Sequence, residues 1–171
     1  MMFKIKPGIA YAIVIIVLLT CGCGKDDKST SPGDTTPSVS VALGSNQLSC
    51  PAIGAIYSQS LKMVILGFDQ GYLGGYPMTV LSVIGADSIS VGNPVECNVS
   101  LYTDSSTVYI CGGGAQNDSA VANVSFSKLE LRQDGLLSGD VAGLVEHMDH
   151  PQEALTSLQI QFRNIPVETM K

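Results

Sequence analysis

The two histidines of the chain lie in one short segment, Glu146-His147-Met148-Asp149-His150. Neutral imidazoles and carboxylates suit zinc or copper, so His147 and His150 are weak candidates for metal ligands. Their spacing is not that of a closed structural site, which surrounds its metal with four ligands. We therefore predict a polar exposed loop before Pro151, with no metal and no other cofactor bound.

A second candidate site is the glycine-rich segment of residues 71–77, which contains Tyr72 and Tyr76. Tyrosine rings on such a backbone can present flat amphipathic surfaces to a sugar or a peptide. We therefore take Tyr72 and Tyr76 as candidate ligand-binding residues. The alternative is an ordinary loop between strands, in which both rings cover the end of the core.

No catalytic set is placed by the sequence. No Ser–His–Asp triad or pair of catalytic carboxylates can be chosen without arbitrary assignment, and the glycines at 112–114 lack the lysine and helix of a phosphate-binding loop. We predict a protein that is not an enzyme, with a metal-dependent enzyme as a minor alternative. The net charge of −6 and the absence of a basic patch also exclude nucleic acid as a partner.

Two cysteines flank a predicted hairpin, and the hairpin register decides whether they can bond. In a register centred on Asp104, Cys97 and Cys111 lie opposite each other and form a candidate disulfide. In a register displaced by half a residue, Val99 faces Ile110 and the two thiols stay apart. The second register matches apolar side chains better, and its consequence is buried free thiols that behave as small apolar groups.

The amino-terminal residues have the pattern of an export signal. Lys4 and Lys6 precede thirteen uncharged residues, from Gly8 to Thr20. A membrane-spanning helix needs about 20 apolar residues, whereas 7–15 is usual for the core of a signal peptide. We predict a cleaved signal peptide, with an uncleaved membrane anchor as the alternative.

The core ends in Thr20-Cys21-Gly22-Cys23, which resembles the lipobox of bacterial lipoproteins. The resemblance implies cleavage before a cysteine that carries acyl chains such as palmitate, which attach the protein to a membrane. We assign lipidation to Cys23, because the small Gly22 precedes it, and keep Cys21 as the alternative. The following Lys25-Asp26-Asp27 resembles the signal that directs some lipoproteins of Gram-negative bacteria to the surface of the outer membrane. The resemblance implies an outer-membrane protein displayed outward, or otherwise facing the periplasm.

The leader, a tether and one domain account for the whole chain. We divide it into a signal peptide (residues 1–22), a lipidated cysteine with a flexible linker (23–38) and a β-rich domain (39–171). The linker contains no large apolar side chain and cannot offset its ordering entropy by burial.

The domain is predicted to be all-β, an antiparallel sandwich or barrel of about eight strands. The strands show as apolar runs and alternations at residues 39–43, 61–68, 78–84, 95–101, 107–111, 121–131, 136–145 and 158–162. A phase change between Phe126 and Leu129 predicts a bulge, and Asp134-Gly135 predicts a type I′ hairpin turn. Only residues 151–157 could form a helical turn or two.

This layout loosely resembles small β-rich envelope lipoproteins of unassigned function, and that resemblance supplies no active site. The expected function is a lipid-anchored envelope protein with a non-enzymatic binding or structural domain. The alternative is an accessory lipoprotein that binds a cell-surface glycan or a protein partner through the Tyr72/Tyr76 loop.

Overall fold

The computed structural model describes residues 36–50, 52–69 and 75–171 of the chain. The predicted all-β fold is confirmed, with ten strands where about eight were expected. Within the described ranges, the only helical element is a 3-10 turn at Ala86–Ser88. The strands are β1 (Ser38–Leu43), β2 (Asn46–Leu48), β3 (Ala52–Ser58), β4 (Met63–Phe68), β5 (Met78–Ile84), β6 (Pro94–Tyr102), β7 (Val108–Cys111), β8 (Ala122–Leu129), β9 (Leu136–His147) and β10 (Thr156–Met170).

Seven strands close into a barrel, in the order β10-β3-β4-β5-β6-β7-β9, with β9 pairing back onto β10. Every pairing in this ring is antiparallel except that of β10 with β3. The hairpin of β1 and β2 pairs through β1 with the first half of β10, and β8 pairs with both β9 and β6. Closure leaves few unpaired strand edges, which is how barrels avoid edge-to-edge association.

The last strand, β10, pairs with different neighbours along its length because it bends near its middle. Its first half pairs with β1 and β9, and its last four residues pair with β3. The register shifts between Phe162 and Ile165, where Asn164 has a positive φ of 55°. The Ser138 hydroxyl accepts a hydrogen bond from the Asn164 backbone N–H at 2.9 Å, which stabilises this bulge.

The core follows from the alternation of apolar residues along the strands. In β10, Leu158, Ile160 and Phe162 are at most 1% exposed, and Gln159 and Gln161 between them face solvent. The Phe162 ring lies 6.2 Å from that of Phe68 and 6.0 Å from that of Phe126. Each fully buried side chain of this size contributes about 1.5–3 kcal/mol of transfer free energy.

Most predicted strands are confirmed within a few residues, and the bulge in β8 falls between Phe126 and Lys128. Strand β4 is buried on both faces, as its unbroken apolar run indicated. Strands β2 and β3 were not predicted, and the closing strand extends to Met170 rather than ending near Phe162. Residues 151–157 contain turns and the start of β10, without a helix.

The prediction of a type I′ turn at Asp134-Gly135 is wrong, although the hairpin itself is present. Asp134 has a φ of 59°, but Gly135 does not adopt a positive φ. The connection is longer, and the Gly135 N–H donates to the Arg132 carbonyl at 2.9 Å. Glycine is required here for space, because a Cβ atom at this position would overlap the Glu130 carbonyl oxygen.

Candidate functional site

Tyr76 and the histidine segment lie at one end of the barrel. The strand registers link Met78 to Tyr102 and Tyr102 to Val108, and the next residue, Tyr109, faces His147. Around this end run the connections between β1 and β2, β4 and β5, β6 and β7, and β9 and β10. We call it the Tyr76 end; the described residues of its connections are 44–45, 69, 75–77, 103–107 and 148–155.

Only the carboxyl-terminal part of the glycine-rich loop lies within the described residues. Tyr76 is 39% exposed, and its peptide bond with Pro77 is cis. Tyr72, the other predicted ligand-binding residue, lies outside the described residues. The ring of Tyr76 is therefore accessible to a ligand, and its pairing with Tyr72 stays a prediction.

Beneath Pro77 lies a buried polar group formed by Cys50, Asp69 and Thr79, each at most 6% exposed. The Cys50 thiol donates a long hydrogen bond to the Pro77 carbonyl, with a sulfur–oxygen distance of 3.7 Å. Burial raises the pKa of Cys50, the nearby Thr79 hydroxyl opposes this increase, and the Asp69 carboxylate adds to it. A thiol held in its neutral form is a poor nucleophile, so this group has the character of a core contact.

The histidine segment places its two rings side by side. His147 is the last residue of β9, and the His150 N–H donates to the His147 carbonyl at 3.1 Å, which closes a turn. The two ring centroids are 4.7 Å apart, and the planes meet at 47°. The edge of Tyr109 contacts His147 with a centroid separation of 5.1 Å. His150 is exposed and His147 half-buried, yet the Nδ1 atom of His147 is buried without a hydrogen-bond partner.

Glu146 does not join this pair, although it is the adjacent residue. It points to the other face of β9, is 2% exposed, and accepts hydrogen bonds from the backbone N–H groups of Gln116 and Asn117. The predicted exposed loop is therefore wrong for Glu146, because a strand sends successive side chains to opposite faces. Its carboxylate fixes the connection between β7 and β8.

The β6–β7 hairpin adopts neither of the two predicted registers. Val99 pairs with Cys111 and Leu101 with Tyr109, so the hairpin is centred on Ser105. Asp104 explains the displacement, since its carboxylate accepts hydrogen bonds at 2.8 Å from the backbone N–H groups of Ser106 and Thr107. This turn lowers the pKa of Asp104 to about 2, chiefly through the Ser106 backbone.

In this register, Cys97 and Cys111 share the inner face of the barrel but are not opposite each other. Cys97 pairs with Ala122 of β8 instead. Both thiols are free and 2% exposed; the Cys97 thiol donates to the Ala122 carbonyl and the Cys111 thiol to the Cys97 carbonyl. Burial raises the pKa of Cys97 to about 12 and that of Cys111 to about 11. Neither thiol has the ionised form that nucleophilic catalysis requires.

Sequence reasoning missed the buried role of Glu146 and the turn function of Asp104. The sequence did contain a signal for the turn, because an Asp side chain commonly accepts a hydrogen bond from the backbone N–H two residues later, and Ser106 is two residues after Asp104. No comparable local signal existed for Glu146, because its partners at 116 and 117 are about thirty residues away. Cys21 and Cys23, the lipidation candidates, lie outside the described residues.

Across the part of the chain that the structure describes, no group of three or more His, Cys, Asp or Glu side chains could hold a metal. No helix within those same residues is long and apolar enough to cross a membrane.

No protein-family model, curated protein or solved structure matches the chain.

Proposed function

We propose that the chain is a lipid-anchored envelope protein whose β domain serves as a non-enzymatic binding or structural module. The observation that carries this proposal is the sequence Thr20-Cys21-Gly22-Cys23 after a thirteen-residue uncharged core. Each buried methylene group of an acyl chain contributes about 0.8 kcal/mol to membrane binding. Three acyl chains bury far more of these groups than one chain, so they hold a protein stably on a membrane. The proposed location is the outer membrane, with the domain displayed outward on its linker.

The anchor is tested by intact-mass spectrometry of the full chain extracted from membranes. We expect loss of residues 1–22 and an added mass that matches acyl chains on Cys23. The Cys23→Ser variant should be unprocessed or released, and the matched Cys21→Ser variant should be lipidated normally. Lipidation that survives Cys23→Ser but not Cys21→Ser would assign the anchor to Cys21, and an unchanged chain without any added acyl mass would overturn the proposal.

A second candidate function is recognition of a cell-surface glycan or peptide at the Tyr76 end. The observation in its favour is that Tyr76 is 39% exposed in a glycine-rich connection, where the phenol ring can stack on a sugar or a peptide. Tyr72 follows the last residue of β4, Phe68, by four positions in the sequence, and it is the second ring of this proposal.

The ligand test measures retention of the full chain on isolated peptidoglycan and on immobilised glycans. Tyr76→Ala and Tyr72→Ala should each reduce retention. Leu61→Ala is the matched control, because Leu61 is 63% exposed in the turn before β4, at the opposite end of the barrel. Equal retention of all three variants would exclude the tyrosines as ligand contacts without affecting the lipid anchor.

A further inference from the structure

The histidine pair has a geometry that its sequence spacing did not reveal. His147 ends β9 and His150 follows in the turn that its own N–H closes, so both imidazoles stand on the same side of the backbone. The pair lies at the Tyr76 end, where Tyr109 supports His147 from the neighbouring strand. These are the two histidines of the entire chain.

The separation of the rings fits two imidazoles that share one metal ion. A zinc–nitrogen bond of about 2.0–2.1 Å places an imidazole centroid about 3.2 Å from the metal. Two such rings at angles of about 90–109° around a metal have centroids about 4.5–5.2 Å apart by this geometry. The observed separation of 4.7 Å lies within that interval.

The Nδ1 atom of His147 provides a second, independent observation. It is buried and has no hydrogen-bond partner. A buried polar atom without a partner costs about 1–3 kcal/mol, and native structures rarely retain one without a reason. A metal ion bound to His147 through this nitrogen would give it the partner that it lacks.

We propose that His147 and His150 form a two-imidazole site for a divalent transition metal of the zinc and copper class. Imidazole suits these metals, and water completes the coordination, because no third ligand from the described residues joins the pair. Such a site keeps coordination positions open to water, as catalytic zinc sites do, whereas a structural site is closed by protein ligands. The proposal is independent of the lipid anchor and of the tyrosines.

The test uses the full chain purified in detergent without an affinity tag. Isothermal titration with Zn²⁺ should show one ion bound per chain, and Cu²⁺ should give an electron paramagnetic resonance spectrum with two nitrogen donors. His147→Ala and His150→Ala should each weaken Zn²⁺ binding by on the order of tenfold or more, since each removes one of two protein ligands. Zn²⁺ should also raise the melting temperature, because it binds the folded state.

Met148→Leu is the matched control, since Met148 lies between the two histidines and is 48% exposed. It should bind Zn²⁺ like the unchanged chain. Circular dichroism of each variant establishes whether the barrel is folded, since Met148 and His150 are exposed whereas His147 is half-buried at the end of β9. The proposal is overturned if the unchanged chain shows no one-to-one binding, or if the double variant His147→Ala/His150→Ala binds as tightly as the unchanged chain.

Discussion

At the scale of single residues, Glu146 is the most deeply buried charged side chain among the described residues, at 2% exposed. A carboxylate accepts hydrogen bonds only, and both of its oxygens receive backbone N–H groups, from Gln116 and Asn117. The alternation of β9 sends this side chain to one face and the proposed metal ligand His147 to the other. One dipeptide therefore contains a structural residue beside a candidate binding residue.

Glu146→Gln should destabilise the domain by about 1–3 kcal/mol, because an amide nitrogen would face a backbone donor where an oxygen now accepts. The measurement is urea unfolding followed by circular dichroism. Glu153→Gln is the control, since Glu153 is exposed, and it should change stability by less than about 0.5 kcal/mol. Equal effects of the two substitutions would contradict the role assigned to Glu146.

Asp104 makes stability depend on pH in the acidic range. Its pKa is about 2 in the folded chain against an ordinary value of 3.8, so the unfolded state binds more protons between these values. The stabilisation from Asp104 is complete above the ordinary value and is lost as the pH falls through the folded value. Asp104→Asn should flatten the loss of stability between about pH 4 and pH 2, as measured by urea unfolding at each pH. An unchanged pH profile in that variant would exclude Asp104 as the source.

At the scale of elements, the turn of the β6–β7 hairpin determines whether Cys97 and Cys111 can form a disulfide. The Asp104 turn centres the hairpin on Ser105, which sets Cys111 opposite Val99 and leaves Cys97 on the diagonal. Diagonal neighbours across an antiparallel pair lie about 7–8 Å apart. A disulfide requires Cα atoms about 4.4–6.8 Å apart, so this register excludes the bond unless the backbone moves.

Reduction should therefore leave the melting temperature of the full chain unchanged, and a peptide map without reductant should contain no linked peptides of Cys97 and Cys111. Iodoacetamide at neutral pH should label both thiols slowly until urea unfolds the chain, because burial holds them in the neutral form. Cys97→Ala provides the control for any effect of reductant. A linked peptide would show that the hairpin adopts the register centred on Asp104.

At the scale of the whole molecule, one hydrophobic core joins the barrel to the strands added to it. Phe162 lies on β10, which pairs with β9 in the barrel and with the added strand β1, and its ring contacts those of Phe68 in β4 and Phe126 in β8. All three side chains are fully buried. The barrel and the strands added to it are therefore expected to unfold together.

Phe162→Ala should lower the free energy of unfolding by about 3–5 kcal/mol, because it opens a cavity at the centre of this core. The control is Val91→Ala, since Val91 is 55% exposed, and its effect should stay within about 0.5 kcal/mol. Both are measured by urea denaturation with far- and near-ultraviolet circular dichroism. Transitions that do not coincide between the two probes would show that the parts of the molecule unfold separately.

The sequence by itself determined the fold class and most strand positions, because period-two alternation and turn residues are local signals. The strand predicted at residues 78–84 has the same bounds as β5 in the structure. The alternation of residues 158–162 correctly predicted which side chains of β10 face the core. The lipidation and ligand hypotheses also rest on the sequence, in the leader and the tyrosine loop.

Only the tertiary structure decided the closure of the barrel, the hairpin register and the arrangement of the histidine pair. Closure depends on the bend at Asn164, which lets one strand pair with β9 and β3, far apart in the sequence. The register depends on how a single carboxylate satisfies two backbone N–H groups, and a shift of one residue changes every facing pair. Spacing places His147 and His150 three residues apart, but only the geometry of the turn brings their rings side by side.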